Sequence, residues 1–118
     1  MEAQPTIGRI TVAPEVLETI VRLTALAVPG VARLVPAPGM SRLLRQDGVQ
    51  LKVTGNTVRV EVHVVAEPDV RLLRLGRQIQ AEVTRAIQDL VGMDVEAVDV
   101  CIEDVAMRPN GESAAQEE

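Results

Sequence analysis

DVRLLRLGRQIQAEVTRAIQDLV, residues 69–91, is the stretch whose reading decides the fold. Its apolar residues Leu72, Leu75, Ile79, Val83, Ala86, Ile87 and Leu90 recur in steps of three and four, which places them on one stripe of an α-helix. Arg71, Arg74, Arg77, Arg85 and Asp89 fall off that stripe. Asp69 is the expected N-cap, since a carboxylate there accepts the free N–H groups of the first turn. Gly92 is the expected residue just past the helix end. Gly76, inside the helix, costs about 1 kcal/mol relative to Ala and marks a point where another helix or a second subunit can approach closely. A helix with one oily side must be covered by another layer, so the remaining chain has to supply a sheet.

The cover lies on both sides in sequence. Val49, Leu51 and Val53 alternate with Gln50, Lys52 and Thr54. After Gly55-Asn56, Val58, Val60, Val62 and Val64 alternate with Arg59, Glu61, His63 and Val65. Period-two alternation across a two-residue turn reads as a β-hairpin with one valine face. Beyond the helix, Val98, Val100 and Ile102 alternate with Asp99, Cys101 and Glu103 in a last strand expected over 95–105. Upstream, Ile7–Val12 is expected to be a short strand, with Ile10 and Val12 on one face. Pro14 at N1 then opens a helix whose stripe is Leu17, Ile20, Val21, Thr24, Ala27 and Val28. Val16, Leu23 and Leu26 widen that stripe. Val31–Val35 is expected as a short edge strand after Pro29-Gly30.

The fold class expected is α+β: a two-layer domain with two helices packed on one face of a small, mostly antiparallel sheet, in the order β-α-(β)-β-β-α-β. Residues 1–6 are expected to be a flexible N-terminus, 7–107 a single domain, and 108–118 an acidic disordered tail. Residues 36–48, punctuated by Pro36, Pro38, Gly39 and Gly48, are expected to be a mobile loop.

Composition narrows the function. The 118 residues suit one domain. There is no Phe, Tyr or Trp, so the core must be aliphatic, and none of the three rings on which a single-stranded nucleic acid usually stacks is available, although Arg planes could substitute in part. Residues 1–93 carry 11 basic and 9 acidic groups, and residues 94–118 carry 1 and 8, within a formal net charge of -5. That balance argues against a duplex nucleic-acid binder, which presents a dominant basic surface. No GxxG, GxGxxG or HExxH motif occurs. The start has no apolar signal-like run, and no stretch approaches the ~18–20 apolar residues of a membrane span, so a cytoplasmic location is expected.

The same scan gives no catalytic residue, no cofactor site and no metal site. His63, the single histidine, is expected on the water-facing side of the sheet as an ordinary surface residue, in company with Glu61, Asp99 and Glu103. Cys101, the single cysteine, lies among carboxylates that disfavour a thiolate and is expected to be structural. The interaction surface expected instead is basic: Arg42 and Arg45 in the loop, and Arg71, Arg74, Arg77 and Arg85 on the second helix. Such a surface suits an acidic protein partner. The alternative is a small nucleic-acid-binding module using the basic side of that helix, although nucleic acid is the less expected partner.

GRITVAPEVLETIVRLTALAVPGVARL, residues 8–34, resembles the opening pattern of the bacterial alkaline shock protein family, through Gly8, Ile10, Val12, Ala13, Glu15, Val16, Val28, Gly30 and Val31. Residues 48–67 are similar to that family's middle strands. Residues 70–107 are similar to its closing helix–glycine–strand pattern, through Ile79, Val83, Ala86, Ile87, Gly92, Val95, Val98, Val100 and Val105. Two positions depart from the pattern: the second hairpin strand lacks an aromatic, and Pro29 precedes Gly30. The resemblance implies a non-enzymatic protein of the cell-envelope or alkaline stress response. It further implies self-association, and cytoplasmic placement peripheral to the inner face of the membrane through a membrane-anchored partner.

Overall fold

The computed structural model describes residues 7–37 and 48–107. The elements run α1 (Pro14–Ala27), β1 (Val31–Leu34), β2 (Val49–Thr54), β3 (Thr57–Ala66), α2 (Leu72–Ala86, widening into a π-helical last turn over Ile87–Val91) and β4 (Asp94–Val105). The fold class is α+β, with two helices against an open four-stranded sheet. The expected N-terminal segment, the acidic tail and most of the 36–48 loop lie outside the described residues.

β3 is the centre of the sheet. β2 pairs with it antiparallel from Val49 opposite Val62 to Thr54 opposite Thr57. β1 pairs antiparallel with its other end, at Val64–Ala66. β4 pairs with β3 in parallel along its whole length, from Thr57 opposite Asp94 to Ala66 opposite Val105. A strand has two edges, so β1 and β2 share one and β4 takes the other. They meet at His63, whose N–H donates to Gly48 O at 2.8 Å while its carbonyl accepts from Val35 N at 3.0 Å. Two of the three ladders are antiparallel, as expected. The third and longest is parallel, because α2 carries the chain back across the sheet between β3 and β4, and such a crossover returns the strand in the same direction.

The inner face of β3 is Val58, Val60, Val62 and Val64, all fully buried. Against them pack Val21, Ala25 and Val28 of α1, Leu75, Ile79, Val83 and Ile87 of α2, and Val49 and Val98 of the flanking strands. Each large side chain taken out of water contributes roughly 1.5–3 kcal/mol, so this aliphatic layer offsets the missing aromatics. Gly30 joins α1 to β1 with φ +106, and a Cβ there would stand 3.1 Å from Leu75 Cδ1 and 3.2 Å from Val70 Cγ1. Only glycine combines that backbone with that closeness. Gly55 takes φ +60 at the hairpin turn, as a tight primed turn requires.

Four expectations are corrected. Residues 7–13 form no strand. Ile10 and Val12 run past the hairpin tip near Val53 and Met93 instead, since two alternating apolar residues are too little to hold a strand on a sheet edge. The cap of α2 falls at Arg71 rather than Asp69. Asp69 takes φ +68 in the turn leaving β3, a left-handed conformation that Asp tolerates better than most residues. Gly76 is no point of close approach among the described residues, for a Cβ there would meet nothing within 4 Å. Leu72 and Leu90, counted in the apolar stripe of α2, are exposed.

Ile79 lies at the middle of the buried stripe and Leu73 on the outer side of the same helix. In urea unfolding, Ile79→Ala is expected to lose about 2–5 kcal/mol, whereas Leu73→Ala stays within about 0.5 kcal/mol. Equal losses would contradict this packing.

Candidate functional site

The outer face of β3 carries Arg59, Glu61, His63 and Val65. Opposite them in the parallel register lie Ala97 (Arg59), Asp99 (Glu61) and Cys101 (His63). The register slips twice, between Val58/Arg59 and between Val64/Val65, each time because β4 holds one extra residue. The extra residues are Glu96 and Glu103. A bulge re-aims a side chain, and both carboxylates turn to a cationic or basic neighbour on β3. Arg59 Nη1 donates to Glu96 at 3.4 Å and its Nη2 to Asp99 at 3.1 Å. These pairs are half-exposed, so each contributes little to stability.

His63 is different. It is only 4% exposed, the single charged or polar residue buried among those described. Its Nδ1 stands 2.6 Å from Glu103 Oε2 and its Nε2 stands 2.6 Å from Glu61 Oε2. The expectation of an ordinary surface histidine is therefore corrected, with a carboxylate clamped at each edge of the ring. A neutral imidazole has one N–H and one lone pair. With an acceptor oxygen against both nitrogens, one contact is lone pair to lone pair unless the ring is positively charged. Burial acts to lower the pKa of His63. The hydrogen bonds to Glu103 and Glu61, with the charges of those two carboxylates, outweigh it and hold the pKa above the ordinary value. The geometry thus favours the protonated ring, an imidazolium donating to both sides.

Cys101 sits beside this cluster, partly buried. Burial pushes its thiol up, and the charges of Glu61, Glu103 and Asp99 push it the same way. A poor thiolate is a poor nucleophile. One ligand atom from each of Glu61, His63 and Cys101 lies within 4.8 Å of the others, a donor set able to hold a cation.

Sequence reasoning placed Glu61, His63, Asp99 and Glu103 on one face but missed that His63 is buried and doubly clamped. A signal for it was present in β4. Its inward residues Val95, Val98, Val100, Ile102 and Val105 are spaced three, two, two and three, and each step of three is a bulge. The expected basic surface is in place on α2, where Arg71, Arg74, Arg77 and Arg85 are all exposed. Arg85 has a loose contact with Glu82 at 3.9 Å. Arg42 and Arg45 lie outside the described residues. None of the four α2 arginines borders the His63 cluster.

A raised folded pKa means that the imidazolium stabilises the fold fully below the unfolded value of about 6.5 and loses that contribution as pH rises through the folded pKa. In chelator-treated protein, stability from denaturant unfolding is therefore expected to fall as pH rises from about 6.5 through the raised folded value. The fall should be smaller in His63→Gln. Parallel profiles for the two proteins would contradict the clamped imidazolium. At neutral pH the substitution itself is expected to cost about 1.5–3 kcal/mol, the range for charged hydrogen bonds.

Among solved structures, the chain resembles the zinc form of a MamM CTD variant with TM-score 0.51 at 16% identity, over 85% of this chain and 91% of that one. It resembles the manganese form of another MamM CTD variant with TM-score 0.50 at 14% identity, over 76% and 96%. At such identities the likeness is one of fold. No curated protein sequence matches the chain. No helix among the described residues is long and apolar enough to cross a membrane. Residues 2–107 match the model of the alkaline shock protein 23 family, of cell envelope-related function, and the chain belongs to that family.

Proposed function

We propose that the protein is a non-enzymatic structural component of the cell-envelope or alkaline stress response, acting by self-association and by docking to a membrane-associated partner. The observation that carries this reading is the outer side of the helical layer. α1 and α2 bury one side against the sheet, yet Leu23 on α1 is 60% exposed, and Leu73 and Leu90 on α2 are 69% and 71% exposed. Leu23 and Leu90 flank an open groove between the two helices, floored by Ala27, Val28 and Ala86. Apolar side chains gathered at a groove mark a surface that another protein covers.

The occupant that fits is a second copy. The rim of the groove carries both signs of charge, Arg85 with Glu82 and Asp89, so a two-fold arrangement can oppose unlike charges on both halves at once. The arginine side of α2, with Arg71, Arg74 and Arg77, remains open for an acidic segment of the membrane-associated partner. Family membership supports the envelope setting.

Sedimentation across a wide concentration range tests self-association. The wild-type chain is expected to form a discrete oligomer, and Leu23→Glu with Leu90→Glu is expected to shift it to monomer with its circular dichroism unchanged. A wild-type chain that stays monomeric up to its solubility limit would overturn the reading. Arg71→Glu with Arg74→Glu and Arg77→Glu is expected to abolish recovery with the envelope fraction while leaving the oligomer intact. Unchanged recovery would remove the arginines from the docking surface.

A further inference from the structure

We infer that Glu61, His63 and Cys101 form a zinc site that clasps β3 to β4 on the sheet face opposite the helices. The first argument is the ring itself. Each His63 nitrogen faces a carboxylate oxygen at 2.6 Å, so the pocket is built to hold a positive charge at the imidazole edge. A proton satisfies that demand, and a divalent metal satisfies it as well. The second argument is the donor set. Imidazole nitrogen, thiol sulfur and carboxylate oxygen together are the ligands that zinc accepts, and a thiolate argues against magnesium or calcium, which take oxygen donors. The three ligand atoms are already mutually within 4.8 Å.

The third argument is the outer carboxylate. Histidine ligands of metals commonly donate their other ring N–H to a carboxylate, which orients the ring and raises its basicity. With zinc on Nε2, the Nδ1–H donates to Glu103 Oε2 at the 2.6 Å already in place. Glu103 can do this because it is the extra residue of the second bulge in β4.

Binding needs small side-chain movements, since the ligand atoms must also close from within 4.8 Å to zinc-ligand spacing. Tetrahedral ligands about 2.0–2.1 Å from zinc stand about 3.3 Å from each other, so the Glu61 carboxylate must withdraw from Nε2. Its side chain is 40% exposed and has room to turn. The Cys101 thiol and the Nε2–H of the His63 imidazolium each give a proton to solvent, so that the sulfur binds as thiolate and His63 as neutral imidazole, and water completes the fourth position. Glu61 and His63 come from β3 and Cys101 from β4, so the metal cross-links the parallel ladder. This site is independent of the helical groove and survives the failure of the self-association reading.

The test uses the full chain without an affinity tag, stripped with a chelator. Cobalt(II) serves as the optical probe and zinc(II) as the competitor. Expected results are one cobalt per chain, a thiolate-to-cobalt charge-transfer band in the near ultraviolet, loss of both on adding zinc, and a Tm raised by several degrees in saturating zinc. Cys101→Ser is expected to abolish the charge-transfer band, and His63→Gln the tetrahedral visible bands and the Tm rise. Absence of the band and of any Tm change in the wild type overturns the inference. Binding that both variants retain also overturns it. Cys101→Ser, a near-isosteric change at a partly buried position, keeps the test decisive if His63→Gln fails to fold.

Discussion

The pairing of β3 with β4 along the full length of both strands fixes where the rest of this domain lies. Because that ladder is parallel, the chain must cross the sheet between its two strands, and α2 is that crossing. Because β4 takes one edge entirely, β1 and β2 must divide the other end to end, meeting at the backbone of His63. The inner face of β3, valine from Val58 to Val64 and ending at Ala66, is then closed by α1 and α2. The outer face keeps the polar alternation, and the two bulges of β4 bring glutamates toward Arg59 and His63. Core, edges and charged cluster thus share one strand.

That geometry divides the molecule into two functional sides. The helical side presents exposed leucines on the outer side of the helices, with arginines alongside. The sheet side presents a histidine held positive by two carboxylates, with a thiol beside it. A buried cation between two anions is weak evidence for stability, since desolvation consumes much of the Coulombic gain. Removing one member is costly all the same, because it leaves like charges facing each other. The cluster is therefore better understood as a seat for a cation than as a device for holding the fold together.

Much of the fold was legible in the residues. The valine alternation at Val58–Val64 and the steps of α2 from Leu75 to Ile87 are long, regular patterns, and both predicted the buried faces correctly. Short patterns misled: Ile10 and Val12 alternate like a strand but have no place in the sheet. Local chemistry misled at Asp69, where a good capping residue was pre-empted by the turn geometry that follows β3. Strand direction was not legible at all, because period two is the same in parallel and antiparallel pairing. The cluster was half legible. His63 and its carboxylates were assigned to one face, but burial of that histidine depends on the bulge at Glu103, which only the three-residue step between Ile102 and Val105 betrays.

The clamp of Glu61 and Glu103 makes His63 a seat for a cation. This is tested most directly by the ring nitrogen-15 shifts of His63 in metal-free protein, the chain's only histidine. At a pH somewhat above the free imidazole value of about 6.5, both nitrogens are expected to show the shifts of protonated imidazolium, with both N–H protons displaced far downfield by their carboxylate partners. A pair of unlike shifts, one protonated and one bare, titrating at or below the ordinary imidazole value, would contradict the account.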